Sequence, residues 1–95
     1  MTAPIETVRL RITGQVQGVG YRLWATRTAA SLGLRGWVRN RRDGSVEALV
    51  TGTPEAVAAM IEASGKGPFG AQVREVTVTP DQDDGSMGFV ARPTE

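Results

Sequence analysis

The sequence predicts an α+β domain built as one antiparallel sheet with two helices on one face. Three observations predict it. Short runs alternate apolar and polar residues with the period of a strand, two longer runs repeat apolar residues with the period of a helix, and the two kinds follow one another as strand, helix, strand, twice over. A chain of 95 residues has room for a single hydrophobic core, so residues 1–95 are read as one domain.

Val8, Leu10 and Ile12 alternate with Arg9, Arg11 and Thr13, the pattern of a strand buried on one face, which the reading ends at Gly14. From Tyr21 the apolar positions are Tyr21, Trp24, Ala25, Thr28, Ala29 and Leu32, one face of a helix that Gly33 stops. Gly36–Asn40 and Val46–Val50 flank Arg41-Arg42-Asp43-Gly44, a hairpin with an Asp-Gly turn. Gly52 breaks the third strand. Thr53-Pro54-Glu55 then supplies an N-cap, a first-turn proline and an acidic first turn for a second helix, with Val57, Met60, Ile61 and Ser64 facing inward. The loop Gly65–Gly70 leads to a fourth strand, Val73–Thr79, and Gly88–Arg92 reads as a short fifth strand at an edge. This order is that of a ferredoxin-like βαββαβ sandwich, an architecture shared by too many activities to decide between them.

The chain contains neither cysteine nor histidine. That excludes disulfides, zinc sites built from those residues, a cysteine nucleophile, the Ser-His-Asp triad and any imidazole step, so no metal and no cofactor is expected. MTAPIETVRLRI lacks the basic start and apolar stretch of a signal peptide, and no apolar run has membrane-spanning length, so a cytoplasmic location is expected. Charge is uneven. Residues 1–42 carry eight arginines against Glu6, a balance of +7, while residues 43–95 carry three basic and nine acidic residues, a balance of −6. The skew suggests an anionic ligand for the first half, although arginines on exposed strands also serve simply to solvate a surface.

Gly14-Gln15-Val16-Gln17-Gly18-Val19-Gly20-Tyr21-Arg22 joins the first strand to the first helix. Its glycines allow backbone N–H groups to converge, and it runs into a helix N-terminus, where free amides and the helix dipole favour an anion. It is neither a nucleotide P-loop nor a dinucleotide fingerprint. Arg22 in the first turn opposes the helix dipole by about 0.3–1 kcal/mol unless an anion sits there too, and its planar fork matches two phosphate oxygens. Asn40, at a strand end before a turn, reads locally as a turn residue bonding its own backbone. Trp24 and Trp37 read as core or sheet cover, Asp43 as a turn residue and Glu47 as a solvent-facing strand position.

Gly14–Arg22 resembles the first signature of the acylphosphatase family, and Gly36–Glu47, in a stretch ending at Gly52, resembles the second. Both stand in family order at family spacing, and the likeness in organisation covers nearly the whole chain. The resemblance implies an acylphosphatase that hydrolyses the carboxyl-phosphate bond to carboxylate and inorganic phosphate. It implies that Arg22 binds the phosphate, that Asn40 orients the attacking water, and that the backbone amides of Gln17, Gly18, Val19, Gly20 and Tyr21 line the cradle. Tyr21 stands where phenylalanine is common in the family, and Ile61–Gly67 lacks the tryptophan and leucine expected before Gly-Pro. The partners expected are a small acyl phosphate and inorganic phosphate, as product and competitive inhibitor, with no membrane, no nucleic acid and a monomeric chain. The alternative is a non-catalytic anion- or RNA-binding ferredoxin-like module. Against it, Val8–Thr13 and Val46–Thr51 offer no aromatic pair on which bases could stack.

Overall fold

The computed structural model describes residues 4–95. Its elements are β1 (Glu6–Gln15), α1 (Tyr21–Ser31), β2 (Arg35–Asn40), β3 (Val46–Gly52), α2 (Pro54–Ser64), β4 (Gln72–Pro80) and β5 (Phe89–Arg92). The sheet order is β4-β1-β3-β2-β5. The predicted ferredoxin-like order is present, and β1 runs one residue past the expected end at Gly14, with its register against β4 shifting between Thr13 and Gly14.

The inward row of β1, Val8, Leu10 and Ile12, meets Val46, Ala48 and Val50 of β3, and Val38 of β2 extends the same surface. Tyr21, Ala25 and Ala29 of α1 and Val57 and Met60 of α2 close over it, giving one core with both helices on one face. Thr53 caps α2 as its sequence position requires, its hydroxyl accepting from Ala56 N at 3.2 Å, with Pro54 at the first helical position. The four strands β4, β1, β3 and β2 pair antiparallel, but β5 pairs with β2 in parallel, Gly36 opposite Phe89 and Arg39 opposite Arg92. The sheet is therefore antiparallel except at its β2–β5 edge.

Because β1 and β2 each run antiparallel to β3, they run parallel to one another, and so does β5. Three chain ends thus share one rim of the sheet: the loop leaving β1, Asn40 closing β2, and Ala91-Arg92 closing β5. This topology brings together residues far apart in sequence.

The opposite sheet face is covered by charge pairing. Arg9 bonds Asp81 at 2.8 Å and Glu47 at 3.2 Å, Arg35 bonds Asp83, and Arg39 bonds Glu47 at 2.8 Å and Glu95 at 2.7 Å. Glu47 is thus not the solvated strand residue expected from sequence. Its side chain is 13% exposed and collects Arg9, Arg39 and Arg41. The guanidinium groups of Arg39 and Arg92 lie over the Trp37 ring, 4.7 and 4.9 Å from its centroid, and Trp37 donates its indole N–H to Asp84 at 3.0 Å.

Candidate active site

The loop between β1 and α1 is shaped by its glycines. Gly18 and Gly20 have φ of 75° and 80°, left-handed values that a side chain would strain, and Gly20 is the N-cap of α1 without any side-chain bond to the helix. The first bond of the helix is Trp24 N to Gly20 O, at 3.0 Å. Among the described residues, the N–H groups of Gln17 to Tyr21 donate to no main-chain or side-chain acceptor. A run of free amides at a helix start is the arrangement that receives an anion.

These residues border an open cleft of about 420 Å³, whose lining includes Gln17, Gly18, Gly20, Tyr21, Arg22 and Asn40. Val19 is not on the lining. Its side chain packs partly buried against the core, which leaves only its amide available. Arg22 is anchored by one nitrogen, Nη1 donating to Arg92 O at 3.1 Å, so β5 holds the guanidinium while its other N–H groups stay uncommitted. Of the eight arginines in the first half of the chain, Arg9, Arg11, Arg35, Arg39 and Arg41 pair with carboxylates, and among the described residues Arg22, Arg27 and Arg42 do not. Arg22 alone of these three lines the cleft, and no carboxylate does.

Asn40 reaches the same cleft because the alternation of β2 turns Val38 and Asn40 to the helix side and Trp37 and Arg39 to the other. Its side chain makes no hydrogen bond among the described residues, so it is not the turn residue its local sequence suggested. That work falls to Asp43, whose Oδ1 accepts from Ser45 N at 2.9 Å and Ser45 Oγ at 2.6 Å. The same bonds, with Arg11 beyond them, hold the Asp43 carboxyl well below the usual range.

Three contributions escaped the sequence reading. The side-chain amide of Gln17 donates to Arg41 O at 2.7 Å and to Ser45 O at 2.9 Å, tying the loop to the turn that follows Asn40. No local pattern distinguishes that side chain from Gln15. Tyr21 packs inward, its ring 5.1 Å from Trp24 and its hydroxyl donating to Ser64 O at 2.7 Å. Burial pushes the phenol up to about 12, so it is a neutral structural donor. Gly67 lies close under this ring, where a Cβ would stand 2.9 Å from Tyr21 Cε2, so the tyrosine meets the short residues that follow α2. Leu23 and Ala91 complete the cleft wall, and Leu23 was visible in sequence as an apolar residue outside the inward pattern of its helix.

A larger depression, about 590 Å³, is lined by Arg11, Asp43, Arg74 and Glu75 among others. Its charges largely cancel, Arg11 bonding Asp43 at 2.9 Å, and it lacks the free amides of the first cleft.

The acylphosphatase family model matches residues 8–91. A protein named acylphosphatase from Rhodospirillum rubrum is 49% identical over 90 residues, which span 95% of this chain and 99% of that one. Among solved structures, an acylphosphatase from Bacillus subtilis superposes with a TM-score of 0.88 at 33% identity, covering 94% of this chain and 99% of the other. One from Coxiella burnetii gives 0.89 at 28% identity, covering 93% of each chain.

Proposed function

The chain belongs to the acylphosphatase family of hydrolases, and from that premise we propose that Arg22 and the amides of Gln17 to Tyr21 hold the phosphoryl group while Asn40 orients the attacking water. The observation that carries this reading is the meeting, in one carboxylate-free cleft, of an arginine without an acidic partner, a loop of unbonded amides and an unbonded side-chain amide.

An acyl phosphate is a mixed anhydride whose carboxylate leaves without protonation. The reaction therefore asks the protein for two things, neutralisation of the phosphoryl oxygens and placement of a water in line with the bond to be broken. Arg22 and the loop supply the first by fixed donors that need no reorganisation. Asn40 supplies the second, its side-chain amide accepting from and donating to the attacking water. The water oxygen bonds to phosphorus, the bond from phosphorus to the acyl oxygen breaks, and the proton released by the water ends on the product phosphate. No protein base is asked for, and none lines the cleft, since the Tyr21 hydroxyl is committed to Ser64. The reaction runs without a metal, in a monomer working in the cytoplasm, with inorganic phosphate competing at the cradle.

The rival reading, an anion- or RNA-binding module, has less behind it. Trp37 on the outer sheet face is 5% exposed and already packed against two arginines, so it offers no surface for base stacking.

The test is phosphate release from benzoyl phosphate in the presence of EDTA, with phosphate affinity and unfolding midpoint measured on the same samples. Asn40→Ala abolishes turnover and keeps phosphate binding near wild type, whereas Arg22→Ala loses both. Preserved turnover in folded Asn40→Ala would remove Asn40 from the site, and activity restored only by a divalent ion would overturn the metal-free route.

A further inference from the structure

Among the described residues the Arg22 guanidinium makes one hydrogen bond, from Nη1 to Arg92 O at 3.1 Å, so the place of its fork depends on the place of that carbonyl. The carbonyl lies at an end that is weakly held. β5 is four residues long at the edge of the sheet, its pairing with β2 stops at Arg39 opposite Arg92, and Pro93, which has no N–H, follows. Beyond it a single main-chain bond returns to β2, Glu95 N to Asn40 O at 3.0 Å. Short edge strands near a chain end open readily unless something further ties them down. The Arg92 side chain supplies that tie. Alternation along β5 turns it to the outer sheet face, where its guanidinium lies over the Trp37 ring, 4.9 Å from the centroid, while the carbonyl of the same residue meets Arg22. Trp37 is a fixed platform, 5% exposed, with its indole N–H donated to Asp84 Oδ2 at 3.0 Å. That same Oδ2 stands 4.0 Å from Arg92 Nη2, and Asp84 is set in its own turn by Oδ1, which accepts from Ser86 N at 3.0 Å. Any apolar side chain at position 92 would serve to cover the ring. A cation that meets both ring and carboxylate is also given a direction, which mere cover does not need.

We propose that Trp37 and Arg92 are positioning residues for the proposed active site, working from the sheet face opposite the cleft. Their stack fixes the end of β5, Arg92 O then holds Arg22 Nη1, and the remaining guanidinium N–H groups stay turned to the phosphoryl group. Neither side chain touches the substrate, and both act through Arg22. The inference rests on the reading of Arg22 as the phosphate ligand. Without the stack, the carbonyl and the guanidinium it holds drift together, and phosphate binding and turnover fall in step.

The experiment is a double-mutant cycle on Arg92→Ala and Arg22→Ala, with kcat/KM for benzoyl phosphate, the inhibition constant for phosphate and the unfolding midpoint measured on the same samples. Arg92→Ala removes the stack and keeps the carbonyl, and since the side chain is 44% exposed the variant should fold. It is expected to lower kcat/KM and weaken phosphate inhibition by about tenfold each, part of what a displacement of about 1 Å costs. In the Arg22→Ala background the same change is expected to alter the residual kcat/KM by less than about twofold, because the residue it acts through is gone. Arg92→Lys, which keeps a cation over the ring, should recover most of the loss, and Trp37→Leu, which keeps apolar cover without a ring, should reproduce it. A lowered midpoint in Arg92→Ala with both kinetic constants near wild type, or an equal loss with and without Arg22, would overturn the positioning role and leave the phosphoryl site standing. A wild type without turnover, or an Arg22→Ala that phosphate inhibits as well as wild type, would overturn the reading of Arg22 itself.

Discussion

Gln17 joins the two halves of the proposed site, and its removal should separate them. One side-chain nitrogen donates to Arg41 O and Ser45 O, the carbonyls that bracket the turn after Asn40. In Gln17→Ala neither carbonyl is orphaned, because Gly44 N still bonds Arg41 O at 3.1 Å and Arg41 N still bonds Ser45 O at 2.8 Å. The cost is then that of two half-buried bonds without a desolvation penalty, about 1–2 kcal/mol, or a midpoint lowered by roughly 5–10 °C for a domain of this size. The kinetic effect should be larger. The amides sit on one element and Asn40 on another, and a displacement of about 1 Å between water and phosphoryl group costs up to roughly 100-fold in rate. The expected result is kcat reduced about 10-fold to 100-fold, with the inhibition constant for phosphate changed by no more than a few-fold, measured below the new midpoint. Gln17→Glu adds a pH signature. A carboxylate facing two carbonyls has its pKa raised, so its protonated form fits the folded state. Its stability deficit should be smallest near pH 4, below the unfolded value, and grow as pH rises through the folded one. A lowered midpoint with kcat within twofold of wild type would refute the coupling and leave Gln17 a structural tie. An unchanged midpoint would refute the bonds.

Arg22→Lys should be nearly as damaging as Arg22→Ala, lowering turnover roughly 30-fold to 1,000-fold, because an ammonium cannot both hold Arg92 O and present a planar fork to two oxygens. Retention of most activity on benzoyl phosphate would reduce Arg22 to a general charge. The Asp43 carboxyl is depressed by its bonds to Ser45 and Arg11, so its contribution is present above the ordinary aspartate range and lost as pH falls through its lowered value. The midpoint gap between wild type and Asp43→Asn should therefore narrow on acidification below about pH 4, and a gap independent of pH would contradict that origin. Tyr21→Phe should cost about 1–2 kcal/mol by stranding Ser64 O. Since the phenol is raised to about 12, the wild-type advantage should hold below pH 10 and shrink as pH rises from there through the raised value, as read from chemical unfolding at a pH series.

The fold was largely legible because its signals are local. The alternation of Val8 to Ile12, the Asp-Gly turn and the Thr53-Pro54 start each depend on a few neighbouring residues, and each appears where expected. The direction of β5 was not legible. Four residues carry no mark of orientation, and what aligns them with β2 is distant: Phe89 entering the core beside Gly36, and Arg92 stacking on Trp37. The site was legible in a different way. Physical reasoning reached a glycine cradle and an arginine wanting an anion, but it made Asn40 a turn residue, and only the resemblance suggested more. The missing step is the parallel course of β1 and β2, which exists only once β3 has paired between them.

The charge asymmetry shows how local and distant information combine. Eight arginines in the first 42 residues suggested an anion, while the blander reading made them surface solvation. Neither was right for all of them. Five are paired, and their partners all come from the acidic second half, with Asp81 and Asp83 of the segment after β4 closing over the outer sheet face. Apart from the half-buried Arg39–Glu47 pair, these pairs are largely exposed and contribute little each, about 0–1 kcal/mol, so their main consequence is not stability. They cancel the field of the arginines that bear them. A cation left without a carboxylate then stands out in proportion to how well its neighbours are neutralised, and the cleft has Arg22 and nothing negative on its wall. The skew in the sequence is thus the raw material for an uncompensated charge in the cleft, and the topology decides which of the unpaired arginines lies there.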